Sequence, residues 1–126
     1  MKKFPLLFSA IVFLVTACAS PTQEADTAIV SVPTPTIDYQ IVGSTKYNFM
    51  VVVDPASSMD RKGLMSVCEY ICDRSSSCII WIWDDIDKAD TSYPIDPAAE
   101  EAMIAEYTFN WGTWEGTLVM HAAGDE

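Results

Sequence analysis

The residues best suited to chemistry in this 126-residue chain are four cysteines, one histidine and a surplus of carboxylates. Nucleophilic catalysis by serine or cysteine needs a base beside the nucleophile, and His121 is the sole histidine. It lies near the carboxyl end, on a short expected strand. Eighteen acidic residues make a chance carboxylate pair certain, so such a pair is no evidence of acid–base catalysis. We therefore expect a binding protein rather than an enzyme, with no cofactor.

Three cysteines, Cys68, Cys72 and Cys78, lie in the part of the chain expected to fold. Cys68 and Cys72 are one helical turn apart, a separation that fits disulfide geometry poorly. The five residues between Cys72 and Cys78 can turn back, so we predict a Cys72–Cys78 disulfide that stabilises the fold by about 2 kcal/mol. Cys68 is then a buried apolar residue; the alternatives are that it pairs with Cys78 or is a reactive thiol.

Four carboxylates within seven residues, those of Asp84, Asp85, Asp87 and Asp90, raise the question of a calcium site. Calcium prefers several oxygen ligands, but the spacing of an EF-hand fails here. Alanine stands at position 89 and aspartate at position 90, where that motif needs a ligand and a glycine. A solvated loop is the favoured interpretation, and calcium held by these four aspartates is the alternative.

Aromatic residues are concentrated between positions 107 and 114. Tyr107 is expected in the core. Trp111 and Trp114 are flanked by polar residues and glycines, so we predict that they form an exposed binding loop. The alternative is that both indoles close the bottom of a small core.

The amino-terminal segment indicates where the protein is sent. Lys2 and Lys3 precede an apolar run over residues 4–15 that is too short to span a bilayer, which is typical of a secretory signal covering residues 1–17. The sequence Val15-Thr16-Ala17-Cys18 resembles the lipobox of bacterial lipoproteins. That resemblance implies cleavage before Cys18 and acylation of Cys18 by palmitate-type chains, which would anchor the protein to a membrane of the cell envelope.

The residues after Cys18 refine this expectation. Ala19 and Ser20 stand where an aspartate would resemble an inner-membrane retention signal, so a diderm host would send the protein to the outer membrane. Residues 18–36 hold three prolines and show no apolar period, which predicts a flexible linker. Residues 37–126 are expected to form one small domain, whose oxidising surroundings favour a disulfide.

Charge excludes one class of partner. Once Lys2 and Lys3 are removed with the signal, five basic residues remain against eighteen acidic ones, a formal net charge of −13. Nucleic acid is a poor partner for such a surface, because binding it requires the neutralisation of phosphates. A cationic partner is favoured, because opposite charge attracts it to an acidic surface.

Hydrophobic patterning predicts an α+β fold: a single small antiparallel or mixed sheet of three to four strands with two helices packed against it. We expect antiparallel pairing of the first two strands. The predicted elements are strand 37–42 with a turn at Gly43 and Ser44, strand 47–53, helix 61–73 capped by Ser58 or Asp60, strand 78–83, helix 97–107 and a short strand 117–121.

The second predicted helix begins with Asp96 and Pro97, an oxygen cap followed by a residue that needs no amide hydrogen there. The pattern places one set of side chains toward the core and the glutamates toward water. The inward set is Ala98, Ala102, Met103 and Tyr107, and the outward set is Glu100, Glu101 and Glu106.

Two further resemblances concern the folded part. Residues 47–114 resemble a small α+β domain of uncharacterised bacterial and phage proteins, through Val51 to Val53, Ile71-Cys72, Cys78, Trp83-Asp84, Ala105-Glu106-Tyr107 and Asn110. This resemblance implies no activity. Residues 54–59 resemble the metal-ion-dependent adhesion motif of von Willebrand factor A domains. Ala56 replaces a metal-coordinating serine and the chain is too short for that fold, so a turn with a helix cap explains the segment better.

Together these features predict a non-enzymatic, acidic, lipid-anchored envelope protein that contacts another envelope macromolecule. The alternatives are a calcium-binding envelope module that uses residues 84–90, or an inhibitor of a cationic envelope enzyme.

Overall fold

Five runs of β-branched, aromatic and alternating residues form one mixed sheet in the computed structural model, which describes residues 34–73 and 76–121. The spatial order of the strands follows their order in the chain. Strands β2 and β3 are parallel and every other neighbouring pair is antiparallel. The α+β prediction and the antiparallel first pair are confirmed, but the sheet has five strands rather than three to four. The strands are β1 (Tyr39–Ser44), β2 (Asn48–Val53), β3 (Cys78–Trp83), β4 (Ala105–Asn110) and β5 (Glu115–Met120).

Helix α1 (Arg61–Ile71) makes the crossover between the parallel strands and covers one face of the sheet. Its amino end is capped by Asp60, whose carboxylate accepts a hydrogen bond from the Gly63 N–H at 3.0 Å. Because α1 ends at Ile71, the predicted helix 61–73 is two residues too long at its carboxyl end. The apolar side of α1 packs on the sheet in a cluster that includes Val51, Leu64, Val67, Cys68, Ile80, Tyr107 and Phe109.

The other face is covered by residues 84–96 and by the short helix α2 (Pro97–Glu101). Strands β2 and β3 send Met50, Trp81 and Trp83 into a second cluster there, together with Ala99 and Met103. This explains why β2 and β3 are apolar at nearly every position: both of their faces are buried.

The predicted turn at Gly43 and Ser44 is wrong, because both residues belong to β1. The turn lies later, where the Thr45 N–H donates to the Asn48 carbonyl oxygen at 2.8 Å. Gly43 serves close packing instead. A Cβ on Gly43 would lie 2.9 Å from the Cα of Thr91, so only glycine lets the 84–96 segment approach the strand. The pairing of β1 with β2 is irregular between Ile41 and Gly43.

The predicted helix 97–107 is wrong beyond its first turns. The cap is real, since Asp96 accepts from the Ala98 N–H at 2.9 Å, but α2 ends at Glu101. The chain then enters β4, in which the core-facing residues Ala105, Tyr107 and Phe109 alternate with more exposed ones. Ala98 is exposed rather than inward-facing, and Ala99 is buried in its place. The alternation of apolar and polar residues in positions 105–110 favours a strand, and it decides the structure there although Asp96 and Pro97 begin a helix upstream.

The predicted signal 1–17, Cys18 and most of the linker 18–36 lie outside the described residues. At the edge of the described part, the Thr36 N–H donates to the Ser66 hydroxyl of α1 at 3.1 Å. Within the two described ranges, no helix is long and apolar enough to cross a membrane.

Candidate functional site

Trp111 and Trp114 lie on the four-residue turn that joins β4 to β5. Asn110 and Glu115 pair across the base of this turn. The Asn110 side-chain oxygen accepts a hydrogen bond from the Gly112 N–H at 2.9 Å, which fixes the first half of the turn. Trp111 is 59% exposed and Trp114 is 67% exposed. The structure thus places both indoles in solvent at one tip of the molecule, which we call the tryptophan tip.

Trp114 has a backbone conformation that is unusual for its type. Its φ of 58° lies in the left-handed region, where a bulky side chain costs about 1–2 kcal/mol relative to glycine. Its indole lies edge-on to the ring of Phe109, with centroids 6.5 Å apart and an interplanar angle of 72°. This one contact positions the indole while leaving most of it in water. Glycine would make the same turn at lower cost, so the fold itself gives no reason for a tryptophan here.

A polar sheet surface extends from the tryptophan tip. Because side chains alternate along a strand, the residues of β4 and β5 that do not face α1 lie together on the opposite face. Neither α2 nor the 84–96 segment covers all of this surface, and Val119 is 52% exposed on it. We call it the open face; it consists of Glu106, Thr108, Asn110, Glu115, Thr117 and Val119.

Tyr93 borders the open face on the side of β3. Its ring stacks on that of Trp81, with centroids 5.6 Å apart and an interplanar angle of 12°, yet it remains 57% exposed. Trp81 is the register partner of Glu106 on β4. Tyr93 was not predicted from the sequence, because its position depends on the path of the 84–96 segment across the sheet.

The structure confirms the predicted disulfide between Cys72 and Cys78, whose Cα atoms are 5.9 Å apart. Cys68 is a free, fully buried cysteine of the α1 cluster. Burial raises the pKa of the Cys68 thiol to about 12, and the nearby charge of Glu69 adds to the effect. The thiol is therefore protonated at neutral pH and inaccessible, so it cannot act as a nucleophile.

The aspartates between positions 84 and 90 order their own segment. Asp90 accepts hydrogen bonds from the backbone N–H groups of Thr91, Ser92 and Asp96, at 2.7, 3.1 and 2.7 Å. These bonds, led by that from Asp96, hold the pKa of the Asp90 carboxyl below its ordinary value, although the group is largely solvated. Asp90 acts as an internal cap of the segment.

The other three aspartates do not converge with Asp90 on one point. Asp85 accepts from the Asp87 N–H at 3.0 Å and forms an exposed ion pair with Lys88 at 3.6 Å, while Asp84 directly follows β3. Within residues 34–73 and 76–121, no three histidine, cysteine, aspartate or glutamate side chains are grouped to hold a metal ion. The calcium alternative therefore gains no support from the geometry.

The remaining predicted chemical residues have structural positions. Asp54 accepts from the Ala56 N–H at 2.8 Å and caps a short 3-10 turn, Pro55–Ser57, as expected for a capped turn. His121 is exposed just beyond β5, and its backbone N–H donates to the Ile104 carbonyl oxygen at 2.8 Å. Neither residue is brought into a catalytic arrangement by the contacts it makes.

The hairpin that carries the site was not predicted as a hairpin. The signal was present in residues 105–110, where Ala, Tyr and Phe alternate with Glu, Thr and Asn before a short turn. Asn110 at the turn entrance is a second signal, because asparagine commonly accepts a bond from the backbone two residues on.

No protein family model, curated protein or solved structure matches this chain. The resemblance of residues 47–114 to a small bacterial and phage domain stays a prediction. The function is therefore inferred from the tryptophan tip and the surfaces around it.

Proposed function

We propose that this protein is a lipid-anchored, non-enzymatic binding protein of the cell envelope, and that the tryptophan tip contacts its macromolecular partner. The observation that carries the proposal is the exposure of both indoles on one turn, together with the left-handed backbone of Trp114. Two indoles, 59% and 67% exposed, share one four-residue turn, and one of them is kept at a φ of 58°.

Exposed tryptophans of this kind suit binding. Tryptophan is enriched among the residues that dominate interface energies, since it buries a large area while ordering only two side-chain torsions. The Asn110 to Gly112 hydrogen bond and the Trp114 to Phe109 contact hold the tip in shape before a partner arrives. Such preorganisation lowers the entropy lost on association.

Charge favours a cationic partner. With five basic residues against eighteen acidic ones after the expected cleavage, the protein would attract a basic protein over a long range and speed its encounter. A cationic envelope enzyme held in an inhibited state is one form that this interaction would take.

The amino-terminal prediction fits the same role. Acylation at Cys18 would hold the protein on a membrane, and the proline-containing linker over residues 18–36 would keep the domain some distance from the lipid surface. The tryptophan tip would then face partners in the envelope at a high effective concentration.

Site-specific photocrosslinking of the full chain in its own host tests the proposal. A photoreactive phenylalanine derivative replaces Trp111 in one variant and Ile86 in a matched control. Ile86 is 55% exposed and follows the carboxyl end of β3, whereas the tip adjoins Phe109, the register partner of Cys78 at the amino end of β3. We expect a defined crosslinked protein from position 111 and not from position 86. Equal crosslinking from both positions, or crosslinking from position 86 alone, would contradict the proposal.

A further inference from the structure

The hydrogen-bond register of β5 shows which of its backbone groups point away from the sheet. The His121 N–H donates to the Ile104 carbonyl oxygen, so these two residues form a hydrogen-bonded pair of the β4–β5 ladder. Such pairs alternate with non-bonded pairs along antiparallel strands. Counting back along β5, Thr117 and Val119 bond to β4, whereas the N–H and carbonyl groups of Gly116, Leu118 and Met120 point outward.

The contact of Arg61 supports this register. The Arg61 guanidinium, at the start of α1, donates to the Leu118 carbonyl oxygen at 2.8 Å. That oxygen is one of the three carbonyl groups that the register directs outward. A charged side chain on an exposed edge is a common protection against unwanted strand pairing. Arg61 thus occupies one acceptor of the edge and can be displaced, since its side chain is exposed.

The opposite edge of the sheet is less regular. The pairing of β1 with β2 shifts between Ile41 and Gly43, and irregular edge strands are poor templates for another strand. Between the two edges, β5 is the better template.

We propose that the outer edge of β5 receives an extended segment of a basic partner protein as a sixth, antiparallel strand. This inference rests on the proposed function and deepens it, because β5 begins directly after Trp114. Addition of a strand uses backbone hydrogen bonds for affinity and alternate side chains for specificity.

The chemistry of the two faces defines the side chains of the added strand. On the open face, Glu115 and Glu106 favour basic residues. On the α1 face, the neighbours are the buried Leu118 and the cationic Arg61, which favour uncharged apolar residues. The partner segment therefore alternates basic and apolar residues.

A second copy of this chain is a poorer occupant of the edge. It carries the same negative charge, and a two-fold pairing centred on Leu118 would bring two Arg61 guanidinium groups together. An apparent dimer that forms through β5 would contradict the proposal.

The test uses the full chain in detergent with a seven-residue peptide of alternating lysine and valine, blocked at both ends. In an antiparallel strand the valine N–H groups face β5 and the lysine N–H groups face away. We expect binding that survives N-methylation of the lysines and is lost on N-methylation of the valines. Hydrogen exchange at the amides of Gly116, Leu118 and Met120 should slow at least about tenfold on binding, while that of Thr117 and Val119 stays unchanged.

Replacement of Arg61 provides a second measurement. Because Arg61→Ala frees the Leu118 carbonyl oxygen, it should tighten peptide binding by about threefold or more, and Lys62→Ala is the matched control. Absence of binding at 1 mM, or equal binding of the valine-methylated peptide, overturns the edge proposal. Neither result would alter crosslinking from position 111, so failure here is distinct from failure of the proposed function.

Discussion

The Trp83 indole donates a hydrogen bond from Nε1 to the Ala99 carbonyl oxygen, 2.7 Å away, and so joins the central strand β3 to helix α2. Trp83 is fully buried, and its bond fixes α2 over β2 and β3. This covering layer lies over β2 and β3 and leaves much of the adjoining β4 and β5 surface, the open face, exposed.

Trp83→Phe should destabilise the protein by about 2–3 kcal/mol. The change removes buried volume and leaves the Ala99 carbonyl oxygen without its donor. Urea unfolding of the full chain measures the loss. The matched control, Trp111→Phe, alters an exposed indole and should stay within about 0.5 kcal/mol of the wild type. Equal losses in the two variants would show that the Trp83 bond is not important for stability.

Removal of the disulfide, by Cys72→Ala with Cys78→Ala, should lower the free energy of unfolding by about 2 kcal/mol, since a short loop in the unfolded chain is no longer closed. Reduction of the wild type should produce a similar loss. Peptide mapping of the oxidised protein checks the pairing and should find Cys68 outside the bridge. A bridge that contains Cys68 would refute the structure in this region.

The elements predicted well from the sequence are those whose signal is local. Strand β3 was predicted with its observed bounds, because residues 78–83 are all apolar and two aspartates follow them. The pairing of Cys72 with Cys78 followed from the short interval between them. In each case neighbouring residues decide the outcome.

The elements predicted poorly depend on contacts between distant residues. Asp96 and Pro97 do begin a helix, but residues 105–110 form a strand because Tyr107 and Phe109 pack in the α1 cluster, and that packing has no local signal in the sequence. Gly43 is typical of a turn, and its role in close packing depends on Thr91, which is distant in the sequence. The exposed indoles of the tip were foreseen from their polar neighbours, whereas the edge contact of Arg61 with Leu118 joins residues 57 positions apart and has no local signal.

Asp90→Asn should destabilise the 84–96 segment by about 1 kcal/mol at neutral pH. Asp90 accepts with both carboxylate oxygens, and an amide would turn a donor toward one of the backbone N–H groups. These bonds lower the pKa of the Asp90 carboxyl in the folded protein. The extra stability of the wild type over the asparagine variant is therefore complete above pH 3.8, the ordinary pKa of aspartate, and is lost as the pH falls through the folded-state pKa of Asp90. Urea unfolding at several pH values tests this, with the exposed Asp87→Asn as control. An advantage that persists in strong acid would contradict the assignment.

At position 114, glycine should give a more stable protein than alanine, which is the reverse of the order expected at an ordinary strand position. Trp114→Gly and Trp114→Ala both lose the contact with Phe109, but only glycine relieves the cost of a φ of 58°. We expect the glycine variant to be about 1 kcal/mol more stable than the alanine variant in thermal or urea unfolding. An alanine variant that is the more stable of the two would mean that Trp114 does not hold a left-handed conformation.

The most direct test of the binding proposal combines Trp111→Ala with Trp114→Gly in the full chain. Recovery of the partner identified by crosslinking is compared with that of the wild type and of Ile86→Ala, and unfolding is measured on the same samples. We predict a free energy of unfolding within about 1 kcal/mol of the wild type and a fall in partner recovery of about tenfold or more, with Ile86→Ala unchanged. A double variant that unfolds would place the indoles in the core, and a folded one that still recovers the partner would show that the tryptophan tip is not the binding site.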